Sequence, residues 1–233
     1  MENQYKFHDY NYRKLRNAVI ARFSLFVIVI FLLLFIPAGS IWYWQAWVYC
    51  GILVIPMAGI CAYFLKKNPA LLERRLRIKE KEKSQRLFTK LSLIIPIILW
   101  ILPGLDHRFK WSFVPFAVVI IADVAVLYGY MLCFFTLKEN EYASRIIEVE
   151  KGQKVVSTGP YALVRHPLYL AGIMMCLSSP LALGSWLSFL AIIPSSALLV
   201  FRILNEEKLL EKELSGYGEY MRKVKYRLIP FVW

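Results

Sequence analysis

Acidic, histidine and cysteine side chains are scarce in this 233-residue sequence, which holds 16 Asp and Glu, three His and four Cys. Cys50, Cys61, Cys133 and Cys176 all fall inside apolar stretches and none makes a CxxC pair. That spacing excludes a disulfide scaffold and a cysteine zinc site. His8, His107 and His166 form no HxxxH or HExxH pair, so no metal site is expected. His166 is the only histidine near the later polar cluster, which leaves no Ser-His-Asp arrangement. Gly216-Tyr217-Gly218 has Rossmann-like spacing, but no strand precedes it and Met221 stands where the last glycine belongs. Charged residues are 19% of the chain, below the roughly 25% of soluble domains. A disordered chain and an ordinary soluble globule are both excluded by that shortage.

What is present is apolar: 58% of the residues, gathered in long blocks. A spanning helix needs about 20 such residues. Six segments qualify, at 18–36, 43–65, 89–103, 113–137, 168–184 and 187–204. The third and fifth are short, so the expectation is an all-α polytopic membrane protein with five to six transmembrane helices. The last two form a C-terminal hairpin. The first segment also has the look of a signal peptide ending at Ala38-Gly39-Ser40, but the long leader with Glu2 and Asp9 favours a retained helix.

The net charge of +13 would suggest nucleic acid in a soluble protein. Here the basic residues follow the loops instead. With six spans and the N-terminus inside, only Arg108 and Lys110 fall in outer loops, while 66–90 alone carries ten. The positive-inside rule is met, both termini are expected to be cytoplasmic, and no nucleic-acid partner is needed. The stretch Pro69–Lys90 reads as a charged amphipathic helix at lipid headgroups, without a catalytic part. Trp42, Tyr43, Trp44, Trp47 and Tyr49 read as an aromatic belt on the outer face, with a ligand cage as the lesser reading. One domain is expected, with N-terminal helices over 1–137 and a catalytic half over 138–233.

Before residue 138 the one reactive group at depth is Asp123. It reads either as a tunnel or proton-relay residue or as a neutral acid hydrogen-bonded to a tyrosine or a carbonyl. Polar chemistry concentrates later. Gly152–Tyr161 is a turn-rich loop. In Arg165-His166-Pro167-Leu168-Tyr169, the proline suits the first position of a helix and His166 its N-cap. The open N–H groups there, with Arg165, would seat an anion; flanking charge is the plainer reading. Arg202 and Glu206, four apart, share a helix face and either neutralise one another or hold two charged ligand groups, while Glu207 points away.

Taken together, GPYALVRHPLYLAG, RILNEE and GYGEYMRKVKYRLIPF resemble the C-terminal half of the integral-membrane methyltransferases typified by isoprenylcysteine carboxyl methyltransferase and its phospholipid N-methyltransferase relatives. Ala171 displaces the family's glycine by one position, to Gly172. The resemblance implies S-adenosyl-L-methionine as cofactor, held without a Rossmann domain. Its contacts would fall on Gln153, Lys154, Val155, Val156, Tyr161, His166, Pro167, Leu168, Tyr169 and Glu206, and more loosely on Glu150. Arg202 would be the catalytic, substrate-side arginine. The implied acceptor is lipophilic, an isoprenylcysteine-like carboxylate, with phospholipid amine N-methylation as an alternative. Membrane sterol C=C reductases, which use NADPH, share a similar tail, but Leu168 and Ile173 depart from their pattern. A membrane scaffold with a dead site is a third reading, which the intact His166, Tyr169, Arg202 and Glu206 oppose.

Overall fold

The computed structural model describes residues 2–77 and 97–233, and among these the regular structure is entirely helical. The apolar blocks form α1 (Glu2–Ala38), α2 (Trp44–Lys67) and α5 (Phe116–Glu139). Among the described residues three helices, Tyr12–Ala38 within α1, then α2 and α5, are long and apolar enough to cross a membrane. At 1.5 Å per residue the 24 residues of α5 reach about 36 Å, more than a hydrocarbon core of about 30 Å. Large apolar side chains such as Leu25, Ile36, Ile55 and Ile121 face outward on these helices, as lipid contact requires.

Between α2 and α5 lie the short α3 (Pro69–Leu76) and a helix, α4, over 97–109. The expected charged helix over 69–90 is therefore seen only as α3, which Arg77 ends in an extended conformation. The remainder of that stretch, and most of the expected third span, lie outside the described residues. After α5 come a one-turn 3₁₀ helix (Gly159–Ala162), α6 (Pro167–Ala182), a second 3₁₀ turn (Leu187–Ala191), α7 (Ile192–Glu213) and α8 (Tyr217–Lys223). At 16 residues α6 spans only about 24 Å, and α7 runs nine residues past the expected end of the sixth span at 204. The polar Asn205–Glu213 thus continues the helix beyond the apolar stretch and carries Glu206 and Glu207 on a rigid rod.

Close packing holds α6 against α5. A Cβ at Gly129 would lie 2.5 Å from Met175 Cγ and 3.2 Å from the Ala171 carbonyl oxygen, so only glycine admits this approach. Gly104 of α4 does the same against α1, where a Cβ would meet the Leu34 carbonyl oxygen at 2.7 Å. The shared core, with Ile30, Leu34, Leu53, Val126 and Leu183 among its members, is where these helices meet.

At the end of the bundle away from the 138–167 segment, buried Asp106 ties two loops together. It accepts from the Ser112 backbone N–H at 2.8 Å and from the hydroxyls of Ser112 (2.5 Å) and Ser185 (2.6 Å). The expected aromatic belt divides here. Trp42 and Trp47 are exposed, but Tyr43 and Tyr49 are buried, Tyr43 donating to the Leu183 carbonyl and Tyr49 sharing a 2.6 Å hydrogen bond with Ser179. Those two rings are inter-helix fasteners, because each hydroxyl meets a partner on the α6 hairpin.

Candidate active site

One cavity of about 330 Å³ opens among the 140–156 loop, the start of α6, the polar half of α7, α8 and the end of α3. Gln153, Lys154, Val155, Val156, Tyr161, His166, Pro167, Leu168, Tyr169, Arg202 and Glu206 all line it. Sequence-distant segments thus deliver every expected site residue but the loosely assigned Glu150 to a single space.

The entry to α6 has the expected form. His166 precedes the helix with Pro167 in its first turn, and the first intrahelical bond is Leu170 N–H to the His166 carbonyl at 3.1 Å. The Leu168 and Tyr169 N–H groups therefore lack intrahelical partners and sit at the positive end of the helix dipole. The preceding turn is built around Gly159, whose φ of 56° is a left-handed conformation. A Cβ there would come 3.2 Å from the Glu139 Cδ, beside the hydrogen bond from Thr158 Oγ1 to that carboxylate.

Arg202 and Glu206 are not in direct contact in this arrangement; Tyr169 stands between them. Arg202 Nε donates to the Tyr169 hydroxyl at 2.8 Å, and that hydroxyl donates to Glu206 Oε2 at 2.5 Å. Arg202 Nη2 also donates to the Arg145 carbonyl at 2.7 Å. A cation and an anion are thereby fixed on either side of one phenol. The hydrogen bond from a charged donor and to a charged acceptor makes this stronger than a neutral link.

The expected anion seat needs a correction. Arg165 does not face an incoming anion, because its Nε pairs with Glu207 at 2.7 Å and its Nη1 donates to the Val224 and Lys225 carbonyls at 2.9 and 3.0 Å. Glu207 also takes His166 Nε2 at 3.2 Å and Arg227 Nε at 2.7 Å. Burial by itself would raise the Glu207 carboxyl, but the hydrogen bonds from His166, Arg165 and Arg227 outweigh it and hold it at about 2. Glu207 is the knot that fastens the tail to α6 and α7, helped by the Arg165 and His166 N–H bonds to the Tyr226 and Arg227 carbonyls. Glu150 is likewise occupied elsewhere: it pairs with Arg74 (2.9 Å) and Arg77 (2.9 Å), away from the cavity lining. Its backbone N–H holds the Gln153 side-chain oxygen at 2.9 Å, which shapes the loop the cavity uses.

Several lining residues lie outside the contacts expected from the sequence. Asn140, at the end of α5, donates to the Tyr161 hydroxyl at 3.0 Å, and Tyr220 donates to the Tyr161 carbonyl at 2.8 Å. Burial pushes the Tyr161 phenol up to about 12, with Glu206 adding to the rise and Asn140 opposing it. Tyr217 is buried on the same wall, and its hydroxyl has no hydrogen-bond partner among the described residues. The spacing of Tyr217 and Tyr220 places both on one face of α8, a periodicity the sequence does display. Arg75 and Arg145 also line the cavity, and nothing in the basic run marks either one.

Asp123 answers to neither reading made of it. It is 3% exposed, lies outside the cavity lining, and neither carboxyl oxygen has a hydrogen-bond partner among the described residues.

Comparison with known proteins bears on both enzyme classes raised by the sequence. The chain is 34% identical over 90 residues to a Delta(14)-sterol reductase of Mus musculus, TM7SF2. The match covers 37% of this chain and 22% of that protein, so the chain spans about a fifth of the relative's length. Residues 117–216 match the model of the phospholipid methyltransferase family, and this stretch holds every expected site residue from Gln153 to Glu206.

Proposed function

We propose that the protein is an integral-membrane methyltransferase that uses S-adenosyl-L-methionine to methylate the carboxylate of a lipophilic, isoprenylcysteine-like acceptor. The observation that carries this reading is the Arg202–Tyr169–Glu206 relay, which offers one fixed cation and one fixed anion to the same cavity. Both the family match and the membrane-length helices support it.

The donor set fits the cofactor's chemistry. Glu206 suits its ammonium, and the Leu168 and Tyr169 N–H groups at the α6 start suit its carboxylate. The Tyr161 and Tyr217 rings offer faces for adenine, and the unpartnered Tyr217 hydroxyl is a donor in wait of an acceptor. Bound there, S-adenosylmethionine would supply a methyl group on a positively charged sulfur. Arg202 orients the acceptor carboxylate, and its own charge is steadied by Tyr169. A carboxylate nucleophile releases no proton, so no base is required. In a site screened from water, joining of opposite charges is favoured.

An amine acceptor, as in phospholipid N-methylation, needs a deprotonated nitrogen. Of the nearby candidates for a base, His166 and Glu207 are bound to one another at 3.2 Å, Glu207 further carries two arginines, and Glu206 accepts from the Tyr169 hydroxyl at 2.5 Å. That occupation favours the acid. The 34% identity to the mouse sterol reductase favours a second reading, NADPH-dependent C=C reduction at the same cavity.

Calorimetric titration of the detergent-solubilised protein with S-adenosylhomocysteine, and in parallel with NADPH, separates the two. Saturable binding of the homocysteine alone is expected. Arg202→Ala should leave that affinity within about threefold and abolish methyl transfer to an S-prenylated cysteine, whereas Glu206→Ala should weaken it by about tenfold or more. Binding of NADPH alone would replace the methyltransferase reading with the reductase.

A further inference from the structure

The basic residues at the end of α3 have two different fates. Arg74 and Arg77 are neutralised by the loop: Arg74 by Glu150 at 2.9 Å, Arg77 by Glu148 at 2.6 Å and Glu150 at 2.9 Å. Arg75, between them, turns into the cavity and makes no ion pair among the described residues, donating only to the Ser144 carbonyl at 3.2 Å. Arg145, on the facing loop, also lines the cavity, and its side chain likewise makes no ion pair among the described residues. The end of α3 is braced for this, since Arg22 of α1 donates to the Leu76 carbonyl at 2.5 Å.

Neither Arg75 nor Arg145 has a carboxylate partner among the described residues, so their like charges repel one another and burial adds to the cost. Both effects are felt here. Burial is what chiefly disfavours the charge on Arg75, with Cys133, Tyr169 and Tyr161 opposing it and Arg202 adding a smaller part; burial first, and then Arg75, Arg202 and Arg22, disfavour that on Arg145. Such a cluster recovers its cost only when an oxyanion arrives, and the planar fork of arginine matches carboxylate and phosphate oxygens.

We propose that Arg75 and Arg145, facing the cavity from α3 and from the loop after α5, form an oxyanion-binding site for the methyl acceptor, so that the acceptor is an anionic amphiphile bearing a carboxylate or a phosphate. This rests on the methyltransferase reading of the same cavity. It gives the charged segment after α2 a part in substrate selection, where the sequence suggested only a headgroup contact. A cationic amphiphile is disfavoured by the same cluster.

The test uses four ligands with one alkyl chain: dodecanoate, dodecyl phosphate, dodecanol and dodecylammonium. Equilibrium binding of each to the full chain in a nonionic detergent is compared between wild type and variants. At least one of the two anions should bind about tenfold more tightly than the alcohol, and the ammonium no better than the alcohol. Whichever anion binds better identifies the acceptor's group. Arg75→Gln and Arg145→Gln should each reduce the preference roughly fivefold or more, while Arg75→Lys, which keeps the charge and loses the planar fork, should reduce it by less. S-adenosylhomocysteine binding should stay within about twofold in all three, which also reports that they are folded. The proposal is overturned if the anions and the alcohol bind wild type alike, or if folded glutamine variants retain the preference. It is also overturned if Arg75→Gln weakens the homocysteine in parallel, since the oxyanion would then be the cofactor's own. Anion preference without homocysteine binding would sink the methyltransferase reading while leaving this site standing. Should a glutamine variant bind neither, the wild-type ranking and Arg75→Lys decide.

Discussion

Tyr169 is the residue on which the site's two charges depend. Its hydroxyl accepts from Arg202 and donates to Glu206, so neither side chain has to find the other across the helix face they share. Tyr169→Phe removes only that oxygen. We expect S-adenosylhomocysteine to bind on the order of tenfold more weakly, read by titration, because a hydrogen bond to a charged group contributes roughly 1.5–3 kcal/mol. Asp123 presents the opposite case, a buried carboxyl without a hydrogen bond among the described residues. Asp123→Leu should leave the thermal unfolding midpoint unchanged or raise it, since removing an unsatisfied buried polar group relieves a cost of about 1–3 kcal/mol. A clear drop in the midpoint would show that the acid has a partner in the working protein. Neither outcome was readable from residue types. The motif spacing does place Tyr169, Arg202 and Glu206 in one site, but which of them touches which depends on how far α6 and α7 lie from each other.

Among the elements, the tail is held by a single acidic side chain. Glu207 on α7 receives Arg165 and His166 from the α6 entry and Arg227 from the tail. Its carboxyl, ordinarily near 4.5, is held at about 2 in the folded protein. Because the folded value lies below the unfolded one, the stabilisation is complete above about pH 4.5 and is lost as pH falls toward 2. Glu207→Gln should therefore cost about 3–5 kcal/mol at neutral pH, where it strands the buried Arg165 and the half-buried Arg227. The gap between variant and wild-type unfolding midpoints should close as pH drops through that window. An unchanged gap would place the stabilisation elsewhere. The sequence shows Glu207 only as a residue pointing away from Glu206; its three partners are brought by segments about 20 and 40 positions distant.

For the whole molecule, the charge distribution makes a topological claim. The segment before α5 and the 138–167 segment should lie on opposite faces of the bilayer, with the cavity at the cytoplasmic side. Trp111 and Lys151 are exposed, one at each end of α5. A membrane-impermeant thiol reagent should label Trp111→Cys in intact cells and Lys151→Cys only after permeabilisation. The native cysteines are buried or partly buried within helices, which limits background labelling. Reversed labelling would put the cavity on the outer face and remove any cytoplasmic cofactor from its reach.

From the order of residues alone came the helical class, most of the helix positions and part of the cavity lining. Apolar runs of about 20 residues in lipid have one solution, since every backbone N–H and C=O must be paired within the segment. The ends of α2 and α5 accordingly depart from expectation by only one to three residues. His166 and Pro167 mark a helix start by local chemistry, and that start is where α6 begins. Tertiary structure decided what depends on distance between segments. It buried Tyr43 and Tyr49 against the α6 hairpin instead of leaving them in a belt, and it spent Arg165 on Glu207. It also turned Arg75 of α3 into the cavity while its neighbours met carboxylates. In a run of like residues each guanidinium has the same local chemistry, so only the packing of α3 against the 140–156 loop can tell one from the next.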